Sequence, residues 1–220
     1  MGRKVLVVDI DPQANATSGM GLSPLPSSPA FSSPATFLPK VTDTPWQGVS
    51  AIPAGHDLER LAVQGASSTA ALKNNLAALP PGRFDAVLID CPPSLGPLSR
   101  SALAAASAVI VPIQCEYYPL EGLVQLLAAV SQSAKTNPGL VVGGILLTMF
   151  DPSLGLSSEV EVEIRTKLTQ RVFEAIIPRD VAVAEAPSHC RSVIDYAPRS
   201  AGARGYVELA IEVVACGIVA

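Results

Sequence analysis

Short apolar runs, each closing on a polar residue or a turn, alternate along this chain with longer stretches of helical period. K-V-L-V-V-D over 4–9 predicts a buried strand rich in Val, and F-D-A-V-L-I-D over 84–90 predicts a second; both end in aspartate. V-S-A-I-P-A over 49–54 is a weaker strand, while 107–113, 140–148 and 171–177 supply three more apolar runs. Helical stretches are expected over 67–79, 99–106, 119–134, 157–170 and 202–215. The first has Ser67 or Ser68 as its cap and Pro80-Pro81-Gly82 as its stop, and the third has Pro119 near its first turn. Residues 22–47 are dense in Pro and Ser and predict an irregular excursion or flexible loop. No internal repeat interrupts the order.

Strands that read as continuous apolar runs and alternate with helices indicate a doubly wound α/β domain. Its sheet is mostly parallel with helices on both faces, and it is expected to be a single domain over 1–220. In such sheets ligands bind beyond the carboxyl ends of the strands, where Asp9, Asp11 and Asp90 fall.

Composition narrows the picture. Hydrophobic residues make up 49% and charged residues 15%, enough for a sizeable core. The net charge of −4 argues against a chain-wide grip on nucleic acid but leaves room for a local patch. Cys91, Cys115, Cys190 and Cys216 lie far apart without metal-ligand spacing and read as reduced thiols. MGRK is followed by only four apolar residues before Asp9, unlike a secretory signal, and no apolar run reaches the ~18 residues of a membrane span. A cytoplasmic protein without a membrane partner is expected.

Two acidic strand ends suggest a magnesium–phosphate site, because Mg²⁺ is usually held by one or two carboxylates, substrate phosphates and retained waters. A carboxylate there can also position an attacking water. Asp9 and Asp11 serve equally well as turn formers that bond nearby backbone N–H groups. A haloacid-dehalogenase-type phosphatase also opens on an apolar strand ending in D-x-D, but here Pro12-Gln13 follows and no later G-D-x-x-x-D occurs. No G-x-G-x-x-G supports a nicotinamide-type dinucleotide fold.

Five blocks stand in order: VLVVDIDPQANATSGMGL, FDAVLIDCPPSLGPLSRSAL, VIVPIQCEYYPLEGLVQLL, GGILLTMFD and IIPRDVAVAEAPSHCRSVIDYAPRSAGARGYVELA. Together they resemble the ParA/Soj family of chromosome- and plasmid-partitioning ATPases, over nearly everything but the Pro/Ser-rich stretch. The resemblance implies ATP and Mg²⁺ as cofactors. It makes Asp11 the carboxylate that orients the hydrolytic water, Asp9 its structural and metal-site neighbour, and Asp90 the acid that holds Mg²⁺ through water. The Ile177-Pro178-Arg179 turn, with Thr148 and Met149 at the preceding strand end, is similar to the family's adenine pocket; plain strand-end packing remains the alternative for Thr148 and Met149. Gln114, Glu116 and Glu121 lie in a family signature whose chemistry the sequence does not reveal, and a helix-cap role for Glu121 is as good a reading.

The family's phosphate loop is expected ahead of this segment, yet no G-x-x-x-x-G-K-[ST] occurs in the 220 residues. Gly2-Arg3-Lys4-Val5 resembles the turn by which family chains enter D-x-D-P-Q, so the chain is expected to be N-terminally truncated and inactive as given. The resemblance also implies a homodimer when ATP is bound, a ParB-like partner that stimulates hydrolysis, and nucleoid association through non-specific DNA. That grip is expected to be weak, since Ser153 and Ala182 stand where the family has arginines. Arg165, Arg171, Arg179 and Arg191 are the candidates for a substitute patch. The alternative is a non-catalytic relative that retains the fold's interaction surfaces.

Overall fold

The computed structural model describes residues 2–65, 70–116 and 119–219, the side chains of 119–121 excepted. The predicted cap at Ser67 or Ser68 lies outside these residues. The chain forms two compact units, 1–106 with 187–191, and 107–186 with 192–220, each with its own sheet and core.

The first unit runs β1 (Val5–Asp9), α1 (Asn15–Gly19), α2 (Pro34–Phe37), β2 (Thr42–Asp43), β3 (Val49–Ile52), α3 (Leu58–Gln64), α4 (Ala71–Ala77), β4 (Ala86–Asp90) and α5 (Pro97–Ala105). Its sheet order is β2-β3-β1-β4, with β1 parallel to both neighbours and β2 antiparallel at one edge. Flanked on both sides, β1 buries Leu6 and Val8 completely, and they join Ile10, Phe37, Ile52, Leu58, Leu72 and Leu98 in one core. The register sets Asp9 beside Asp90, so both acidic strand ends meet at the same edge of the sheet. β4 is different. Its apolar run is of the kind normally covered on both faces, yet among the described residues it pairs with β1 alone, and Val87 and Leu88 are 37% and 51% exposed.

The stretch 22–47, expected to be an irregular or flexible loop, carries two 3-10 turns, the one-turn α2 and the short β2. Proline explains the turns, since it stands at the start of each and its fixed φ suits a first helical position. Ala30 and Phe37 sink into the core. Fully buried Asn75 on α4 donates from Nδ2 to the carbonyls of Ala30 and Ser32, each at 3.0 Å, which fixes the stretch to the helix.

The second unit runs β5 (Ala108–Gln114), α6 (Pro119–Ala134), β6 (Val141–Phe150), α7 (Gly155–Lys167), β7 (Val172–Pro178), α8 (Val181–Glu185), α9 (Val193–Tyr196) and α10 (Ala201–Ala215). Its sheet is β5-β6-β7, all parallel. One face packs Val111, Ile113, Ile145 and Leu147 against Leu123, Val160 and Ile164 of α6 and α7. The other packs Leu146, Phe173 and Ile177 against Tyr206, Leu209 and Val213 of α10. Where the β6–β7 register slips, side chains supply partners to β7: Arg165 donates to the Phe173 carbonyl, and Glu212 accepts the N–H groups of Glu174 and Ala175. Helices on both faces of mostly parallel sheets are what the apolar pattern predicts.

Candidate functional site

In the first unit the carboxyl ends of β1 and β4 gather carboxylates with different fates. Asp9 is fully buried. Its Oδ1 accepts the Asp11 N–H at 3.0 Å, and its Oδ2 accepts both the N–H and the hydroxyl of Thr17, at 2.8 and 2.6 Å. Thr17, also fully buried, accepts the Ala54 N–H on the same hydroxyl, at 2.9 Å. Asp9 therefore knots together the ends of β1 and β3 and the helix α1, and spends both oxygens doing so. That is the turn-forming role.

Asp11 is half-buried, and its Oδ1 accepts the Gln13 N–H at 2.9 Å. Its other oxygen accepts no hydrogen bond among the described residues. Asp90 pays for its surroundings. Burial, then the charges of Asp9 and Asp11, push its carboxyl up to about 6. The neighbouring Cys91 thiol is pushed up to about 12, chiefly by burial and then by Asp90, so it is no thiolate nucleophile. Among the described residues no three His, Cys, Asp or Glu side chains converge as a metal cage. A cation here would keep waters or other ligands, which suits Mg²⁺.

In the second unit the carboxyl ends of β5, β6 and β7 bring together the other predicted site residues. Gln114 pairs in register with Thr148, whose hydroxyl donates to the Ile113 carbonyl at 3.1 Å. Between Leu147 and Phe150, β6 carries one residue more than β7, which pairs them with Ile176 and Pro178. Met149 takes up the difference in a left-handed conformation, φ 55°. Such a φ is costly for a side chain as bulky as Met, and strain of this kind clusters at ligand sites.

Beyond the bulge, Ile177 and Pro178 are not in the turn expected but close β7, with Ile177 buried in the core, and the Arg179 N–H donates to the Phe150 carbonyl at 2.8 Å, fixing this strand end to β6. The Arg179 guanidinium pairs with Glu116, both about half exposed. That pair gives Glu116 a role the sequence left open. Tyr117 and Tyr118 fall outside the described residues, as does the side chain of Glu121. Three partners escaped the sequence analysis: Thr17, Asp180, and the fully buried Ser157, whose hydroxyl donates to the Cys115 carbonyl at 3.3 Å. None sits on an apolar period, so no pattern marks them.

Of the four candidate arginines, Arg165 and Arg179 are ion-paired. Arg165 is held by Glu161 at 2.9 Å and Glu174 at 3.7 Å, and Arg179 by Glu116, so acids within the same unit neutralise both. Ser153 donates from its hydroxyl and its N–H to Asp151, and Ala182 lies in α8.

An AAA domain family matches residues 1–142 of the chain. The sporulation initiation inhibitor protein Soj of Bacillus subtilis is 40% identical over 227 residues, covering 99% of this chain and 88% of that protein. The chromosome-partitioning ATPase Soj of Thermus thermophilus is 42% identical, covering 98% and 85%. Among solved structures, cobyrinic acid a,c-diamide synthase from Mycobacterium smegmatis, with a bound ATP analogue and magnesium, superposes with a TM-score of 0.78 at 34% identity, over 97% of this chain and 82% of that one. With relatives this similar over nearly its whole length, the chain belongs to the ParA/Soj family of partitioning ATPases.

Proposed function

We propose that this chain serves chromosome or plasmid partitioning as an ATP-dependent switch. The observation that carries the reading is the unequal treatment of three acidic residues at neighbouring strand ends. Asp9 is consumed by the fold, Asp11 keeps one oxygen open, and Asp90 is starved of positive charge. A Mg²⁺ ion held through water would relieve Asp90, and Asp11 would orient the water that attacks the terminal phosphate. When bound, ATP supplies the phosphoryl group. In the second unit, the end of β7 at Ile177-Pro178-Arg179, with Thr148 and Met149, offers apolar contact and backbone groups that would suit a flat base.

Partners follow the same reading: a second copy of the chain, a ParB-like protein and non-specific DNA. Hydrolysis needs a lysine-bearing loop for the β- and γ-phosphates, and the 220 residues hold no G-x-x-x-x-G-K-[ST]. We therefore expect no ATPase above blank from this chain alone in the presence of Mg²⁺. In a version carrying such a loop on a strand ahead of β1, Asp11→Ala should leave nucleotide binding intact while turnover falls ~10²–10⁴-fold. Equal loss of both would make Asp11 a metal or folding residue.

A further inference from the structure

We infer that Asp180 is a positioning residue for the base-binding end of β7 at Ile177-Pro178-Arg179, acting by tying that strand end to the start of α10. The inference rests on the nucleotide reading above. Asp180 immediately follows this strand end. Its Oδ1 accepts the Ala182 N–H at 2.9 Å, capping α8, and its Oδ2 accepts the Gly202 N–H at 2.8 Å, in the first turn of α10. These N–H bonds hold the carboxyl below the usual carboxylate range.

α10 comes close because two of its residues lack side chains. A Cβ on Gly202 would lie 2.4 Å from Val183 Cγ2 and 3.2 Å from Asp180 Oδ2. One on Gly205 would lie 2.8 Å from the Ile176 carbonyl oxygen and 3.4 Å from Pro178 Cδ. This strand end is thus held from three directions: by the Phe150 carbonyl of β6, by Glu116 through the Arg179 side chain, and by α10 through Asp180. Among these, the third tie joins it to a long helix packed across the sheet. With its two oxygens committed to the Ala182 and Gly202 N–H groups, Asp180 sets where the backbone of the strand end stands, and so whether a flat base fits there.

Adenosine, which has no phosphates, isolates this contribution from any phosphate loop. Saturation-transfer NMR on the whole chain should show transfer to the adenine H2 and H8 protons, stronger than to guanosine H8. Asp180→Asn keeps one good acceptor and should bind adenosine about tenfold more weakly, with the adenosine–guanosine difference lost. Asp180→Ser, which can still cap α8 but is too short for Gly202, should behave the same way and serves if the Asn variant fails to fold. Glu212→Ala removes a different tie between α10 and β7; it should lower Tm and leave adenosine selectivity unchanged. Parent-like selectivity in a folded Asp180 variant would overturn the inference and leave the nucleotide reading standing. Selectivity lost equally in Glu212→Ala would reduce Asp180 to general stability. No transfer to adenosine in the parent would overturn the nucleotide reading, and this inference with it.

Discussion

At the residue scale, the acidic strand ends make opposite predictions for chemically identical side chains. Removing Asp9 strands the Thr17 N–H and hydroxyl and the Asp11 N–H, two of these donors belonging to a fully buried residue. Each unsatisfied buried donor costs ~1–3 kcal/mol, so Asp9→Ala should destabilise by more than ~3 kcal/mol. Asp11→Ala strands only the N–H of Gln13 and should cost under ~1 kcal/mol. Urea melts of the two variants compare them directly, and equal losses would refute the division of labour. Asp90 adds a pH dependence. Its folded pKa of about 6 stands above its ordinary 3.8, so between these values the folded state binds the proton more tightly than the unfolded one. Stability therefore falls as pH rises from about 4 to 6, and the deficit persists above that range. Asp90→Asn should flatten this limb and melt above the parent at pH 7.5, while Mg²⁺ should raise the parent's Tm at pH 7.5 more than at pH 5. A parent and variant with parallel Tm–pH curves would show that the carboxyl is not perturbed.

Elements differ in how much of them the sequence reveals. Runs such as Val5–Asp9 are legible because a parallel strand with cover on both faces needs little but Val, Ile and Leu, and Ala86–Asp90 shows the same composition although its Val87 and Leu88 lie exposed. The short α1, α3, α8 and α9 are not: with four to seven residues each, they span too few turns to display an apolar period. The ends of α5 and α7 drift by about two residues for the same reason, since a frayed turn has no periodic mark. For the site, the acids at the strand ends are legible in the sequence, while the ties that hold them are not, and the segment Ile177-Pro178-Arg179, expected as a turn, is the end of β7. A buried Thr17–Asp9 bond or an Asp180–Gly202 bond joins residues through folding alone. Gly144 is another such case. Its sequence neighbours suggest only a weak spot in a strand, but a Cβ there would lie 2.6 Å from the fully buried Phe173 ring. Gly144→Ala should destabilise by ~1–3 kcal/mol through overpacking. Gly139→Ala, where nothing lies within 4 Å of the added carbon, should be nearly neutral and is the control. Matching denaturation midpoints for the two would refute the packing claim.

For the whole molecule, exposed apolar surface and net charge decide how the chain behaves with others. Val87 and Leu88 stand exposed in a five-residue strand that, among the described residues, pairs on one side only, a template for unwanted strand addition. The 220 residues alone should bind hydrophobic dyes and aggregate, and Leu88→Lys should suppress both without lowering Tm; a drop of several degrees would mean that Leu88 is covered as the protein folds. DNA binding turns on charge. Sequence-independent affinity comes mainly from neutralised phosphates, with log K falling against log salt by ~0.9 per contact. Arg165 and Arg179 are committed to glutamates, and the net charge of −4 offers no long-range attraction to phosphate. The proposed grip is expected to be weak and to respond to arginines at Ser153 and Ala182. Ser153→Arg/Ala182→Arg adds two cations per chain, up to about four contacts in a two-fold dimer, and so should steepen the salt slope by as much as ~3.6. The measurement is a salt titration of non-specific duplex binding by parent and double variant with ATP and Mg²⁺ present, in the version carrying a lysine loop ahead of β1. A variant that binds no tighter, on an unchanged slope, would place the DNA-facing surface elsewhere on the chain.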